Sequence, residues 1–139
     1  MVKEHLILTN DLKEIEKVRF VIDNLFNNGI IDEGMSIKLN LVVEEMFTNI
    51  VNYAYCDKEL RQIDIIIEFD KGIFSTTLID DGKEFNPLNH KVQDLNAPAE
   101  ERKIGGLGIH LMKNIMDEYE YKRENDKNIL IIKKNIIGE

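Results

Sequence analysis

Three polar side chains on one predicted helix have the types and the spacing of a metal-assisted site. Glu45, Asn49 and Asn52 recur every three or four residues, so they share one narrow stripe on a helix. Asn inside a helix is less favourable than Ala by roughly 0.5 kcal/mol. The presence of two Asn residues on this stripe therefore favours a binding role for it. A carboxylate and an amide oxygen one turn apart suit a hard cation. The simpler alternative is the solvent-exposed side of an amphipathic helix, and both interpretations stay open here.

The helix that would position this stripe is predicted over residues 39–55, with Ser36 as a candidate N-cap. Its opposite side is apolar and would face a core. This apolar set comprises Leu39, Val43, Met46, Phe47, Ile50 and Ala54.

A second chemical element, Asp80-Asp81-Gly82, follows a predicted strand. Alternation places Asp80 on the same face as Phe74 and Leu78, at the rim of the apolar face and directed towards the helices. A carboxylate there is costly unless it meets a partner, and the exocyclic amino group of a purine is one such partner. Gly82 would let a ligand approach the backbone closely. An ordinary turn is the alternative.

The third element is glycine-rich and leads into a helix that we predict to begin at Gly108. Gly105, Gly106 and Gly108 follow Arg102 and Lys103. Glycines leave backbone amides exposed, and a helix N-terminus adds partial positive charge, so this segment can hold phosphate. A flexible connection is the alternative. The Lys-Ser/Thr of a Walker A motif is missing, and no strand leads directly into the segment as in a Rossmann fingerprint.

Composition limits the classes of protein and partner. The 139 residues, 43% of them hydrophobic, predict one domain over residues 1–139. The net charge of −8 argues against nucleic acid or an anionic membrane as the main partner. The single cysteine, Cys56, excludes an internal disulfide. Apolar runs are too short for a signal peptide or a membrane span, so we expect a cytoplasmic protein.

The remaining pattern predicts an α/β (α+β) two-layer sandwich. Helical and alternating segments follow one another in the order β-α-α-β-β-loop-α-β-β. Most strands form hairpins, so we expect a mostly antiparallel mixed sheet with the helices packed on one face. The irregular segment 81–108 holds four of the eight glycines and both prolines, and loops of this length are often functional.

The three elements, in this order, resemble the GHKL superfamily of ATP-binding domains, which share the Bergerat fold. The spacing that matches is Glu45-x-x-x-Asn49, then Asp80-x-Gly82, then Gly106-x-Gly108. Within the superfamily, the short chain and the segment ERKIGGLGIHLMKNIMDEYEYKRE are similar to the anti-sigma-factor serine/threonine kinases. The resemblance spans essentially the whole chain.

The resemblance implies roles for the residues at matching positions. Glu45 would be the general base, and Asn49 would ligate the Mg²⁺ that bridges the phosphates of ATP. Asp80 would accept a hydrogen bond from the adenine amino group. Residues 86–104 would form a mobile ATP lid. The other implied nucleotide contacts are Asn52, Gly82, Phe85, Arg102, Gly105, Gly106, Leu107, Gly108 and Ile109.

The resemblance also implies a function. The chain would be a Mg²⁺- and ATP-dependent protein serine/threonine kinase and anti-sigma regulatory factor that phosphorylates a small antagonist protein. The alternative is a catalytically slow ATP-binding module that sequesters a sigma factor or another regulator. Neither nucleic acid nor a membrane is an expected partner, and homodimer formation is left open.

Two positions depart from the wider superfamily. Its histidine kinases have Asn where Glu45 stands, which disfavours a phosphoacceptor-histidine kinase domain. Many members have a Thr on a late strand beside the adenine-binding Asp. The equivalent strand here, residues 128–133, is apolar in the middle, so we expect adenine binding to be weaker or arranged differently.

Overall fold

The computed structural model describes residues 1–55, 59–89 and 105–136. The predicted order of elements is confirmed. The strands are β1 (Val2–Thr9), β2 (Gln62–Asp70), β3 (Ile73–Asp80), β4 (Glu118–Glu124) and β5 (Lys127–Asn135). The helices are α1 (Glu16–Asn27), α2 (Glu33–Tyr53) and α3 (Gly105–Ile115). Short 3₁₀ turns at Leu12–Ile15 and Pro87–Asn89 precede α1 and follow β3, and no described helix is long and apolar enough to cross a membrane.

The sheet has the strand order β1-β2-β3-β5-β4, and each of these neighbouring pairs is antiparallel. The mixed sheet that we expected is therefore purely antiparallel over the described residues. The hairpins β2–β3 and β4–β5 close with two-residue turns, Lys71-Gly72 and Asn125-Asp126, in which every residue has a positive φ. This conformation matches the twist of the strands and fixes their register.

The helices pack on one face of the sheet and enclose the core with it, as the two-layer prediction requires. Alternate residues of three central strands point into this core: Ile63, Ile65 and Ile67 of β2, Phe74 and Leu78 of β3, and Leu130 and Ile132 of β5. The apolar side of α2 covers them, and α3 packs against α2. Burial of this apolar surface is the main force that keeps α2 packed against the sheet.

Two predicted helix starts are wrong. Helix α2 begins at Glu33 rather than at residue 39, and Asp32 is its N-cap, since Asp32 Oδ1 accepts a 2.8 Å hydrogen bond from the backbone N–H of Met35. Ser36 lies inside the helix. Helix α3 begins at Gly105 rather than at Gly108. In both cases the first turn contains glycine. Glycine adds no apolar side chain to the helical period, so the period places the helix start too late in the chain.

Candidate functional site

A row of polar residues lies at one end of the sheet, on its core-facing side. The strand register places Asp80 of β3 opposite Asn128 of β5, and Asn128 opposite Arg123 of β4. Asp80 is 4% exposed and Asn128 is 5% exposed. The prediction that Asp80 points towards the helices is therefore confirmed. The structure adds one partner on the neighbouring strand, Asn128, which in turn accepts a hydrogen bond from Arg123 of β4.

Only one oxygen of the Asp80 carboxylate is used within the described part of the chain. Oδ1 accepts hydrogen bonds from the backbone N–H of Gly82 and from Nδ2 of Asn128, each 2.9 Å long. Burial raises the pKa of Asp80, and these two hydrogen bonds and the charge of Arg123 act against that effect. Oδ2 therefore stays available as an acceptor for a donor group from outside.

A narrow cavity lies beside Asp80, between α2 and the sheet. Its walls are mainly apolar and aromatic, with a few polar groups, as in sites for small ligands, but its volume of about 20 Å³ is far below that of such sites. The lining residues are Met46, Asn49, Ile50, Leu78, Asp80, Phe85, Pro87, Tyr121, Asn128 and Leu130. The cavity thus joins the predicted stripe on α2 to the predicted carboxylate on β3.

Asn49 is the buried member of the stripe on α2. Its side chain is 3% exposed, and its Nδ2 has no hydrogen-bond partner in the described part of the protein. A buried polar group without a partner costs about 1–3 kcal/mol, so the simple solvated-face interpretation does not hold for Asn49. It does hold for Asn52, which is exposed and does not line the cavity.

Glu45 lies one turn before Asn49 and contacts the first turn of α3. A Cβ atom built on Gly108 would lie 2.5 Å from Oε2 of Glu45 and 3.1 Å from its Cβ, so only glycine leaves the carboxylate its place. Ile109 is buried beside this contact, whereas Leu107 is 70% exposed. Glu44 points elsewhere, because its Oε2 accepts a 2.8 Å hydrogen bond from Nη2 of Arg19 on α1.

The N-terminus of α3 is a candidate phosphate site. The first backbone N–H groups of a helix have no partners within the helix, and the helix dipole favours an anion there. In α3 these groups belong to Gly105, Gly106 and Leu107, directly before the contact between Gly108 and Glu45. The structure therefore brings the predicted base next to the predicted phosphate-binding segment.

Glu45 and Asn49 offer the oxygen donors that Mg²⁺ prefers. Over the described ranges, no cluster of three or more His, Cys, Asp or Glu side chains could hold an ion by itself. Mg²⁺ commonly binds through one or two protein groups, while water and substrate phosphates complete its octahedron. The donor set therefore fits a magnesium ion that arrives with a nucleotide.

The loop after β3 is fixed against the end of α2. The backbone N–H of Lys83 donates a 2.8 Å hydrogen bond to the carbonyl oxygen of Ala54, and a Cβ on Gly82 would collide with that same carbonyl. The ring of Phe85 packs at 5.7 Å from the ring of Tyr53. These contacts tie the helix with the polar stripe to the loop that follows Asp80.

Several predicted residues cannot be placed. Arg102 and residues 90–104 of the predicted lid lie outside the described residues, and so does Cys56. Gly105 and Gly106 are described through their helical backbone alone.

Sequence reasoning missed Asn128, Tyr121 and Arg123. Asn128 begins a strand, residues 128–133, whose apolar middle predicts no polar contact beside Asp80. Counting back in steps of two from the buried Ile132 and Leu130 leads to Asn128 on the core face, so period-two alternation could have found it.

A wider groove, of about 660 Å³, lies between β1 and α1. Its lining includes Glu4, Glu16, Lys17, Phe20 and Asn24. None of the predicted site residues lines it.

Comparison with known proteins gives two kinds of match. The profile of the histidine kinase-like ATPase domain family matches residues 8–134. The chain is also similar to proteins named Serine-protein kinase RsbW from Bacillus cereus (strain ATCC 10987 / NRS 248) and Bacillus mycoides (strain KBAB4). Each is 28% identical over 99 residues, which cover 68% of this chain and 61% of the relative.

Solved structures show the same fold at low identity. The histidine kinase domain from the Erythrobacter litoralis EL346 blue-light activated histidine kinase has a TM-score of 0.55 at 16% identity, covering 90% of this chain and 60% of that one. The Acinetobacter baumannii histidine kinase AdeS has a TM-score of 0.52 at 16% identity, covering 99% and 70%.

Proposed function

The chain belongs to the histidine kinase-like ATPase domain family, and from that premise we propose that it is a Mg²⁺- and ATP-dependent protein serine/threonine kinase. The proposed acceptor is a hydroxyl group of a small antagonist protein, and the proposed second partner is a sigma factor or another regulator. Membership of the family implies ATP binding. The name of its curated relatives, Serine-protein kinase RsbW, supports the kind of acceptor.

One observation carries the nucleotide part of the proposal. Within the described part of the chain only Oδ1 of the Asp80 carboxylate accepts hydrogen bonds, and this carboxylate lines an apolar cavity. An amino group on a purine ring would donate to Oδ2. A carbonyl at the same ring position would be repelled by the ionised carboxylate. The site therefore suits adenine better than guanine, with the walls from Met46, Phe85 and Leu130 against the ring faces.

The phosphates would extend from the cavity towards the N-terminus of α3. The amides of Gly105, Gly106 and Leu107 would donate to phosphate oxygens, and Arg102 is a further proposed contact. Asn49 would hold the magnesium ion, which supplies charge neutralisation when it is bound. The ligand atom would be Oδ1 of Asn49, because an amide nitrogen donates hydrogen bonds and does not bind a cation. The buried Nδ2, which has no partner in the described part of the chain, would donate to an acceptor oxygen of the nucleotide.

Glu45 is the proposed general base for transfer. It accepts the proton of the serine or threonine hydroxyl as that oxygen bonds to the γ-phosphorus. The bond from the γ-phosphorus to the β–γ bridging oxygen breaks, and ADP leaves. Phosphoryl transfer needs mainly positioning and charge stabilisation, so one well-placed general base is the only proton acceptor that the protein must supply. The ion pair of Glu44 with Arg19 supports Glu45 as the base.

A transfer assay tests the proposal. The wild type, Glu45→Gln and Glu44→Gln would each be incubated with Mg²⁺, labelled ATP and a panel of small antagonist proteins. We expect transfer by the wild type, a loss of about 10²–10⁴ in rate for Glu45→Gln, and little change for Glu44→Gln, which keeps an acceptor for Arg19. A wild type that binds a partner only with ATP but transfers nothing would favour the sequestering module instead.

A further inference from the structure

Asn128 makes more side-chain hydrogen bonds than its place beside a turn predicts. Its Nδ2 donates to Oδ1 of Asp80 at 2.9 Å and to the backbone carbonyl of Lys83 at 2.8 Å. An amide nitrogen has two hydrogens to donate, so both are used within the protein. One side of Asn128 thus joins the β3 carboxylate to the loop that follows it.

The other side of Asn128 is an acceptor for three groups. Its Oδ1 accepts hydrogen bonds from Nη1 of Arg123 at 3.1 Å, from the hydroxyl of Tyr121 at 2.5 Å and from the backbone N–H of Phe85 at 3.2 Å. These donors fix the direction of the amide, since a flipped amide would turn its N–H groups towards them. Asn128 lines the cavity but has no donor left for a ligand, so any effect on a ligand acts through Asp80.

We propose that Asn128 is a positioning residue for base selection: it holds Oδ1 of Asp80, so that the base meets only Oδ2, and it thereby favours a purine with an amino group at ring position 6 over one with a carbonyl there. This inference rests on the proposed function, because it concerns the same nucleotide site. It assigns to Asn128 a role that neither the motifs nor the comparisons give it.

The charges around Asp80 make this neutral donor important. Arg123 and the hydrogen bond from Asn128 favour the ionised carboxylate, while burial and Asp81 disfavour it. The hydroxyls of Tyr55 and Tyr121 stay neutral, because burial raises the pKa of both. The remaining charged side chains on the adjoining loop are Lys83 and Glu84.

Without Asn128, Oδ1 of Asp80 would keep only the hydrogen bond from the backbone N–H of Gly82, so the carboxylate would be held less firmly and would lose a stabiliser of its charged form. A protonated Asp80 could donate to a carbonyl at ring position 6, so selection between amino and carbonyl would relax.

The test compares two nucleotides that differ at this one ring position. Calorimetry would measure the binding of Mg²⁺-ADP and Mg²⁺-IDP to the wild type, Asn128→Ala and Asn128→Ser, with Asn135→Ala at the far end of β5 as the matched control. We expect the wild type and Asn135→Ala to prefer ADP by about 10- to 100-fold. Asn128→Ala should reduce that preference to within about 3-fold, and Asn128→Ser, which keeps a donor, should restore part of it.

A pH series with Asn128→Asp separates positioning from general loss of structure. This change would put an oxygen against Oδ1 of Asp80, and a proton shared by the two carboxyls would relieve the repulsion. The affinity of this variant for ADP should therefore rise as the pH falls, unlike that of the wild type. Circular dichroism would verify that each variant is folded.

The failure of this inference and the failure of the proposed function give different results. An unchanged ADP-to-IDP ratio in folded Asn128→Ala, with normal wild-type binding, would overturn the inference and leave the proposed function intact. A wild type that binds both nucleotides equally would also overturn it. A wild type that binds neither would overturn the proposed function and this inference with it.

Discussion

Replacing Gly108 with Ala should separate nucleotide binding from phosphoryl transfer. The added Cβ would lie 2.5 Å from Oε2 of Glu45, whereas ordinary contact begins at 3.4 Å, so the carboxylate must move by about 0.9 Å. A displacement near 1 Å of a catalytic group costs on the order of 10²-fold in rate. We therefore expect Gly108→Ala to slow transfer by about 10²-fold while it retains most of the affinity for Mg²⁺-ADP.

The folded state should tolerate this change. Ala is a better helix former than Gly by about 1 kcal/mol, and the atom nearest to the new Cβ is the end of a flexible side chain. A loss of activity would therefore come from the movement of Glu45 and not from unfolding, which a thermal melt would verify.

Gly34→Ala is the matched control for Gly108→Ala. It makes the same change inside α2, where the nearest atom to the new Cβ is Oδ1 of Asp32 at 3.6 Å. The assay is transfer of labelled phosphate from ATP to a cognate antagonist, with hydrolysis by water as a second readout. Gly34→Ala should match the wild type in both. Transfer by Gly108→Ala at the wild-type rate would refute the assignment of Glu45 as the base.

Three further predictions follow from the same site. Asn49→Ala should lose the part of ADP affinity that depends on Mg²⁺, so calorimetry with and without a chelator should give the same result for this variant but not for the wild type. Asp80→Asn should weaken ADP binding and raise the melting temperature near pH 7. Burial raises the pKa of Asp80, so its ionised form lowers folded stability. The gain should therefore be largest at pH values above that raised pKa, and it should shrink in melts at lower pH as the wild-type carboxyl takes up a proton. Gly82→Ala should destabilise the fold by about 1–3 kcal/mol in urea unfolding, because its Cβ would meet the backbone carbonyl of Ala54 and backbone cannot move aside as a side chain can.

Local periods were enough to predict the stripe on α2 and the direction of Asp80. A helical wheel gives the angle of each residue around an axis but not what packs along that axis. Asn49 and Asn52 therefore looked equivalent, although only Asn49 is buried. Asn49 lines the cavity between α2 and the sheet, and Asn52 does not.

The partners of Asp80 depend on contacts between strands that are distant in sequence. Asn128 faces Asp80 because two hairpin turns and the pairing of β3 with β5 set that register. Alternation along β5 can place Asn128 on the core face, but it cannot pair Asn128 with Asp80, because that pairing depends on the register between strands. The glycine starts of α2 and α3 were missed for a related reason, since glycine has no side chain to show a period.

The most direct test of the nucleotide site is a crystal structure with Mg²⁺ and a non-hydrolysable ATP analogue. We predict that the adenine amino group donates to Oδ2 of Asp80, that Asn49 ligates the magnesium ion, and that Glu45 lies beside the γ-phosphate. Nucleotide bound instead in the wider groove between β1 and α1, or an adenine amino group that does not contact Asp80, would contradict this account.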